Sequence, residues 1–154
     1  MALKRLSSLA RLPAREQWFA LRALGTMAAI RLALWLLPFG KLRALVDRVA
    51  TAAPAPQALP DPVVAGAVRR AVNRAARTIP GSVCLAQALT AELLLRRDGQ
   101  PARVSIGVAL DGKPLAAHAW VESAGVLVTG DSEDLGTYRA LAVFGADASP
   151  GGAP

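Results

Sequence analysis

Cysteine and histidine each occur once in the 154 residues, and aromatic side chains make up only 5% of the chain. One thiol cannot build an intramolecular disulfide framework. One Cys and one His also fall short of the clustered ligands that a zinc site needs, so no metal is expected. The absence of a glycine-rich phosphate loop leaves no signature for a nucleotide, and no cofactor is expected. The sequence pI is about 11.0, yet the basic residues alternate with large aliphatics and not with stacking aromatics or a reading helix, which argues against nucleic acid as the partner. No basic-flanked apolar stretch ends in an obvious small-residue cleavage site, so a cytoplasmic, reducing setting is expected.

Acidic residues are scarce in the first third. Residues 1–50 carry nine Lys and Arg against Glu16 and Asp47, and the later residues balance, so the whole net charge of +7 belongs there. The same third is strongly apolar, from Trp18 to Phe39, but its clean runs, Ala23 to Ile30 and Leu32 to Phe39, are far shorter than the about 20 residues of a bilayer span. A transmembrane helix is therefore not expected. The spacing of Arg15, Leu21, Arg22, Leu24, Ala28, Arg31 and Trp35 instead predicts a helix with a wide apolar face and a thin basic stripe, which Pro38 and Gly40 interrupt. Such a face suits packing on its own domain or a protein partner, with peripheral membrane contact the less favoured use.

Composition allows one domain with a real core. Within it, residues 1–50 read as a basic, apolar helical extension, 51–60 as a Pro- and Ala-rich linker, 61–146 as the catalytic unit and 147–154 as a disordered tail. Asp61-Pro62 supplies a cap followed by proline at the first helical position, and Val64, Val68, Ala71, Val72, Ala75 and Ile79 give a buried stripe. Pro80-Gly81 ends that helix. Ser82 is expected to cap the next, which runs to Asp98-Gly99 and carries Cys84 in its first turn. Two strands are predicted at Arg103–Leu110 and Leu115–Glu122, joined by Asp111-Gly112, and a third at Val126–Thr129 after a turn at Ala124-Gly125.

A cysteine taken alone is most often a small buried hydrophobe. In the first turn of a helix, however, unpaired N–H groups and the positive end of the helix dipole favour a thiolate, and the same amides can hold an oxyanion. His118 lies in Ala117-His118-Ala119-Trp120-Val121-Glu122 on the second strand. If Ala124-Gly125 forms the two-residue turn, Glu122 faces Leu127, Trp120 faces Thr129 and His118 faces Asp131, whereas a one-residue slip places Gly130 or Ser132 opposite His118 and removes that pairing. Opposed Cβ atoms lie about 4.5–5.5 Å apart, close enough for the carboxylate to orient the imidazole. Glu122 stands roughly 13 Å along the same strand from His118 and is the poorer partner, while Glu133 and Asp134 serve if the turn is longer. A helix-start thiol, a strand histidine and an opposed carboxylate are the parts of base-activated acyl transfer.

These residues resemble a known family. Arg31-Leu32-Ala33-Leu34-Trp35-Leu36-Leu37-Pro38-Phe39, Ile79-Pro80-Gly81-Ser82-Val83-Cys84-Leu85-Ala86-Gln87-Ala88-Leu89, Ile106-Gly107-Val108, Ala117 to Glu122 and Gly130-Asp131 together are similar to the lasso-peptide leader peptidases, the stand-alone B-type maturation proteins. The resemblance spans roughly residues 15–140. It implies an α+β fold with a transglutaminase-like, papain-related cysteine protease core, the Cys helix packed on a small antiparallel sheet. It implies a Cys84, His118, Asp131 triad that cuts a ribosomally made precursor after its leader. The implied partners are the precursor peptide, a separate leader-binding protein similar to the quinone-cofactor peptide chaperone, and a lasso cyclase, to which the ATP chemistry belongs. The helices before residue 51 are the candidates for docking those partners. A noncatalytic peptide-binding scaffold and a transglutaminase-type acyl transferase are the alternatives, the latter because it shares the thioester.

Overall fold

The computed structural model describes residues 12–52, 59–81, 83–109, 117–130 and 135–145. Among them are four α-helices, α1 (Ala14–Leu36), α2 (Phe39–Thr51), α3 (Pro62–Thr78) and α4 (Cys84–Arg97). They are followed by strands β1 (Arg103–Ala109), β2 (Ala117–Ser123), β3 (Val126–Thr129) and β4 (Tyr138–Gly145), with a short 3₁₀ turn at Leu135–Thr137 before β4. The strands form one antiparallel sheet in the order β3-β2-β1-β4. This is the expected α+β arrangement of helices against a small antiparallel sheet.

Local chemistry accounts for most boundaries. Asp61 caps α3 by accepting from the Val63 N–H at 2.8 Å, and Pro62 takes the first helical position, where its missing donor costs nothing. Pro80 disfavours helical backbone at Ile79, which is extended, and Gly81 turns the chain at φ +66°. At the other end of α4, Asp98 and Gly99, with φ +72°, close the helix as the sequence predicts. Pro38 ends α1 but also serves as the N-cap of α2, so Gly40 falls inside a helix that resumes at once. The predicted turn at Ala124-Gly125 is present with both residues at positive φ, 51° and 74°, the geometry that matches the twist of a two-residue hairpin. The Asp111-Gly112 turn, residues 53–58 of the linker and residues 147–154 lie outside the described residues.

Helix α4 is the centre of the domain. Ala86 and Ala88 through Leu95 are all buried, a helix covered on every side and not an amphipathic one. One core joins Phe19, Met27, Val68, Leu94, Val104 and Val121, and a second joins Ile30, Leu42 and Val46 to Ala86 and Leu89. The helices before residue 51 thus share the core of the rest, and Leu85, next to Cys84, packs against both clusters. Helix α1 is nonetheless long and apolar enough to cross a membrane by length and composition, with a mean hydropathy of 1.5; counting only charge-free runs missed this, because Arg22 and Arg31 break them. Its face of Phe19, Ala23, Met27 and Ile30 is packed in the domain, Arg22 pairs with Asp98 at 2.9 Å, and Glu16 accepts from Arg74 at 3.3 Å.

A charged cluster locks α2 onto α4. Glu92, 0% exposed, accepts both ends of the Arg43 guanidinium, and Asp47 accepts from Arg43 at 2.8 Å and from Arg96 at 2.6 Å. Arg43 also lies 4.8 Å from the Phe144 ring centroid, so the cluster reaches β4. Burial by itself would raise the Asp47 carboxyl, but the hydrogen bonds from Arg96 and Arg43 outweigh it and hold the group below the usual carboxylate range. A carboxyl depressed in the fold contributes stability above its unfolded pKa and loses it as pH falls through the folded one. Denaturation midpoints should therefore fall on acidification below about pH 4, and Asp47→Asn should flatten that slope.

Candidate active site

Cys84 is the first residue of α4, a free thiol, half-buried against the main core. The expected cap differs. Val83 is the N-cap, with φ −73° and ψ 159°, and no side chain among the described residues, which do not include Ser82, caps the helix. Since valine has no acceptor to offer, the side-chain cap that usually occupies a first-turn amide is missing where the thiol stands. The first backbone hydrogen bond closes from the Gln87 N–H to the Val83 carbonyl, at 3.2 Å.

His118 sits near the start of β2, half-buried. Its ring lies between Trp120, with centroids 6.3 Å apart and nearly parallel, and Tyr138, with centroids 5.2 Å apart. The gap that admits this arrangement is Gly107, the residue paired with His118 on β1, where the ladder to β4 also carries a bulge. A Cβ on Gly107 would stand 2.7 Å from the Arg139 carbonyl and 3.1 Å from the Trp120 ring. Nε2 of His118 is 3.2 Å from the Gly130 carbonyl. A carbonyl only accepts, so this contact places a proton on Nε2 and leaves Nδ1 as the free base of the neutral ring. Gly130, at φ +89°, is held against Trp120 so closely that any Cβ there would collide with the indole's own Cβ.

The sequence-derived register needs correction. Glu122 faces Leu127 as predicted, but Thr129 faces Val121 and not Trp120, because a bulge interrupts the β2–β3 ladder between Val121 and Glu122. The unbroken ladder that set His118 opposite Asp131 does not exist. Asp131, with Glu133 and Asp134, lies outside the described residues.

Along β2, Ala119, Val121 and Ser123 are buried, with Ala119 and Val121 in the core shared with α4, and His118, Trp120 and Glu122 alternate with them on the other side. Among the described residues no hydrogen bond joins the Cys84 thiol to the imidazole, and no group of three or more His, Cys, Asp or Glu gathers as a metal site.

Sequence reasoning missed Tyr138 and Arg31 as neighbours of the site. Tyr138 opens a strand whose apolar alternation is weak, so only its β-forming Tyr, Val and Phe could have signalled it. Arg31 reads in the sequence as part of the thin basic stripe of α1. In the fold its guanidinium lies against the turn before Cys84, so that a Cβ on Gly81 would stand 3.0 Å from Nη1.

A family model described as the transglutaminase-like superfamily matches residues 26–143, from the second half of α1 into β4. No curated protein and no solved structure matches the chain.

Proposed function

Because the chain belongs to the transglutaminase-like superfamily, which includes cysteine proteases and acyltransferases, we propose that it is a cysteine peptidase that removes the leader from a lasso-peptide precursor. The observation that carries the reading is Cys84 as the first residue of a central helix whose N-terminus no side chain among the described residues caps. The motifs around Cys84, His118 and Gly130-Asp131 supply the substrate class by their resemblance to the leader peptidases.

In this mechanism Nδ1 of His118 takes the Cys84 proton and the thiolate attacks the scissile carbonyl. The first-turn N–H groups of α4, that of Cys84 among them, bind the oxyanion. The imidazolium then protonates the departing amine of the core peptide, and a water deprotonated by the same imidazole hydrolyses the thioester. The Gly130 carbonyl holds Nε2, and Asp131 is assigned to orient the imidazole by the resemblance to the leader peptidases alone. The mechanism requires the Cys84 sulfur and the His118 imidazole, which share no hydrogen bond among the described residues, to be brought together when substrate binds. A separate leader-binding protein delivers the precursor, and a cyclase takes the released core. Of the two arginines in the apolar stretch before residue 51, Arg22 is already paired with Asp98, which leaves Arg31 as the one free of a carboxylate among the described residues.

The test is incubation with a synthetic precursor and its leader-binding partner, followed by mass spectrometry. The expected product is free core peptide with a new amino terminus. An intact precursor, or one joined by an amide to an added amine, would contradict hydrolysis. A second test acts on the helix end. Val83→Asp introduces an acceptor at a position already in cap geometry, so it should stabilise the fold by about 1 kcal/mol while slowing cleavage, because it occupies an amide needed by the oxyanion. Denaturant titration and initial rates on one preparation read both effects.

A further inference from the structure

An open groove of about 480 Å³ runs beside the start of α4, lined by Arg31, Leu32, Leu34 and Trp35 of α1 and by Gly81 and Val83 of the turn that leads into Cys84. Its walls are unusually apolar for an exposed surface: Trp35 is 87% exposed, Leu32 57% and Val83 55%. Its floor is cationic. Arg31 is half-buried, with its guanidinium lying over Gly81, and among the described residues it has no carboxylate partner, whereas Arg22, Arg43 and Arg96 all have one. A partly desolvated guanidinium facing a groove favours a carboxylate, since its fork of donors matches two carboxylate oxygens.

We infer that this groove binds an extended segment of the substrate peptide that carries an Asp or Glu beside a large apolar residue, with Arg31 holding the carboxylate and Trp35 and Leu32 holding the apolar side chain. Arg31 is thus a specificity-determining residue and does not touch the reacting atoms. A segment seated there passes Val83, the residue next to Cys84, so the groove feeds the scissile bond toward the thiol. The inference rests on the peptidase reading for the purpose of the bound segment, but the binding itself does not need a reactive thiol. Gly81 is fixed by the same contact: at φ +66° it is already in a conformation that L side chains rarely adopt, and a methyl would press on the guanidinium.

The test uses full-length Cys84→Ala protein, immobilised and exposed to a synthetic library of N-acetylated hexapeptide amides randomised at each position, with the retained peptides sequenced by mass spectrometry. Retained peptides should be enriched about tenfold in Asp or Glu next to Leu, Phe or Trp, the ratio one charge-assisted pair provides, and the acidic preference should fade with added salt. Arg31→Gln should erase the acidic preference and keep the apolar one; Trp35→Ala should do the reverse. Circular dichroism of both variants confirms that each is folded. Equal retention of Glu and Gln peptides, or an acidic preference that survives Arg31→Gln, would overturn the inference. So would binding to anionic phospholipid vesicles, or dimer formation lost in Trp35→Ala, with no acidic peptide retained. If acidic peptides are selected through Arg31 but wild-type protein cleaves no precursor, the groove stands and the peptidase reading falls; cleavage without that selection has the opposite meaning.

Discussion

Replacing His118 by alanine should lower the cleavage rate by about 10²- to 10⁴-fold, the range that a positioned general base contributes, while leaving the fold intact. The ring is only half-buried and its one hydrogen bond among the described residues is to a carbonyl at the sheet edge, so little of the core depends on it. The same replacement should slow alkylation of Cys84 by iodoacetamide at neutral pH, because the thiol then lacks its proton acceptor. Tyr138→Leu separates two roles for the aromatic contact. If the Tyr138 ring, 5.2 Å from His118, only positions the imidazole, kcat falls and KM is held. Steady-state kinetics on variants with matched melting curves are the check.

Arg43→Met should destabilise the protein by about 3 kcal/mol or more, the lower end of what breaking one side of a buried ion pair costs. Methionine keeps much of the arginine's volume and its contact with Phe144 but leaves Glu92, fully buried, with Arg96 at 3.1 Å as its one remaining cation among the described residues. The double variant Arg43→Met with Glu92→Met should recover part of that loss, since two apolar side chains need no desolvated charge between them. Chemical denaturation of the four proteins closes the cycle. An additive result would mean that the pair does not couple α2 to α4. Because Glu92 lies on the helix that begins at Cys84, Arg43→Met should also lower activity at temperatures where the fold still holds.

Much of this architecture can be read from local chemistry. Asp61-Pro62, Pro80-Gly81 and Asp98-Gly99 bracket α3 and α4 because caps, proline sterics and left-handed glycines act within a few residues. The β2–β3 turn follows from Ala124-Gly125 for the same reason. What spacing cannot show is a change of phase. The bulge at Val121/Glu122 leaves no trace in the alternation of a four-residue strand, so arithmetic that was right at Glu122 and Leu127 failed at Thr129.

Long-range pairings were equally hidden. Nothing near Arg43 in the chain announces Glu92, and nothing near Arg31 announces Gly81. The N-cap was misplaced by one residue because Ser82 is the better capping residue, whereas the turn at Gly81 delivers Val83 into that position. That departure from local preference falls next to the candidate nucleophile, where a side-chain cap would compete with an oxyanion.

Intact-mass analysis of the protein after rapid acid quench of a reaction with the synthetic precursor tests the nucleophile directly. The thioester forms as the Cys84 sulfur replaces the core-peptide nitrogen on the leader carbonyl. Wild-type protein should therefore gain the mass of the leader acid less one water, an adduct released by hydroxylamine and mapped to Cys84. Cys84→Ala should show neither adduct nor cleavage. Cleavage that persists in Cys84→Ala, or an adduct mapped to any other residue, would contradict Cys84 as the group that attacks the peptide.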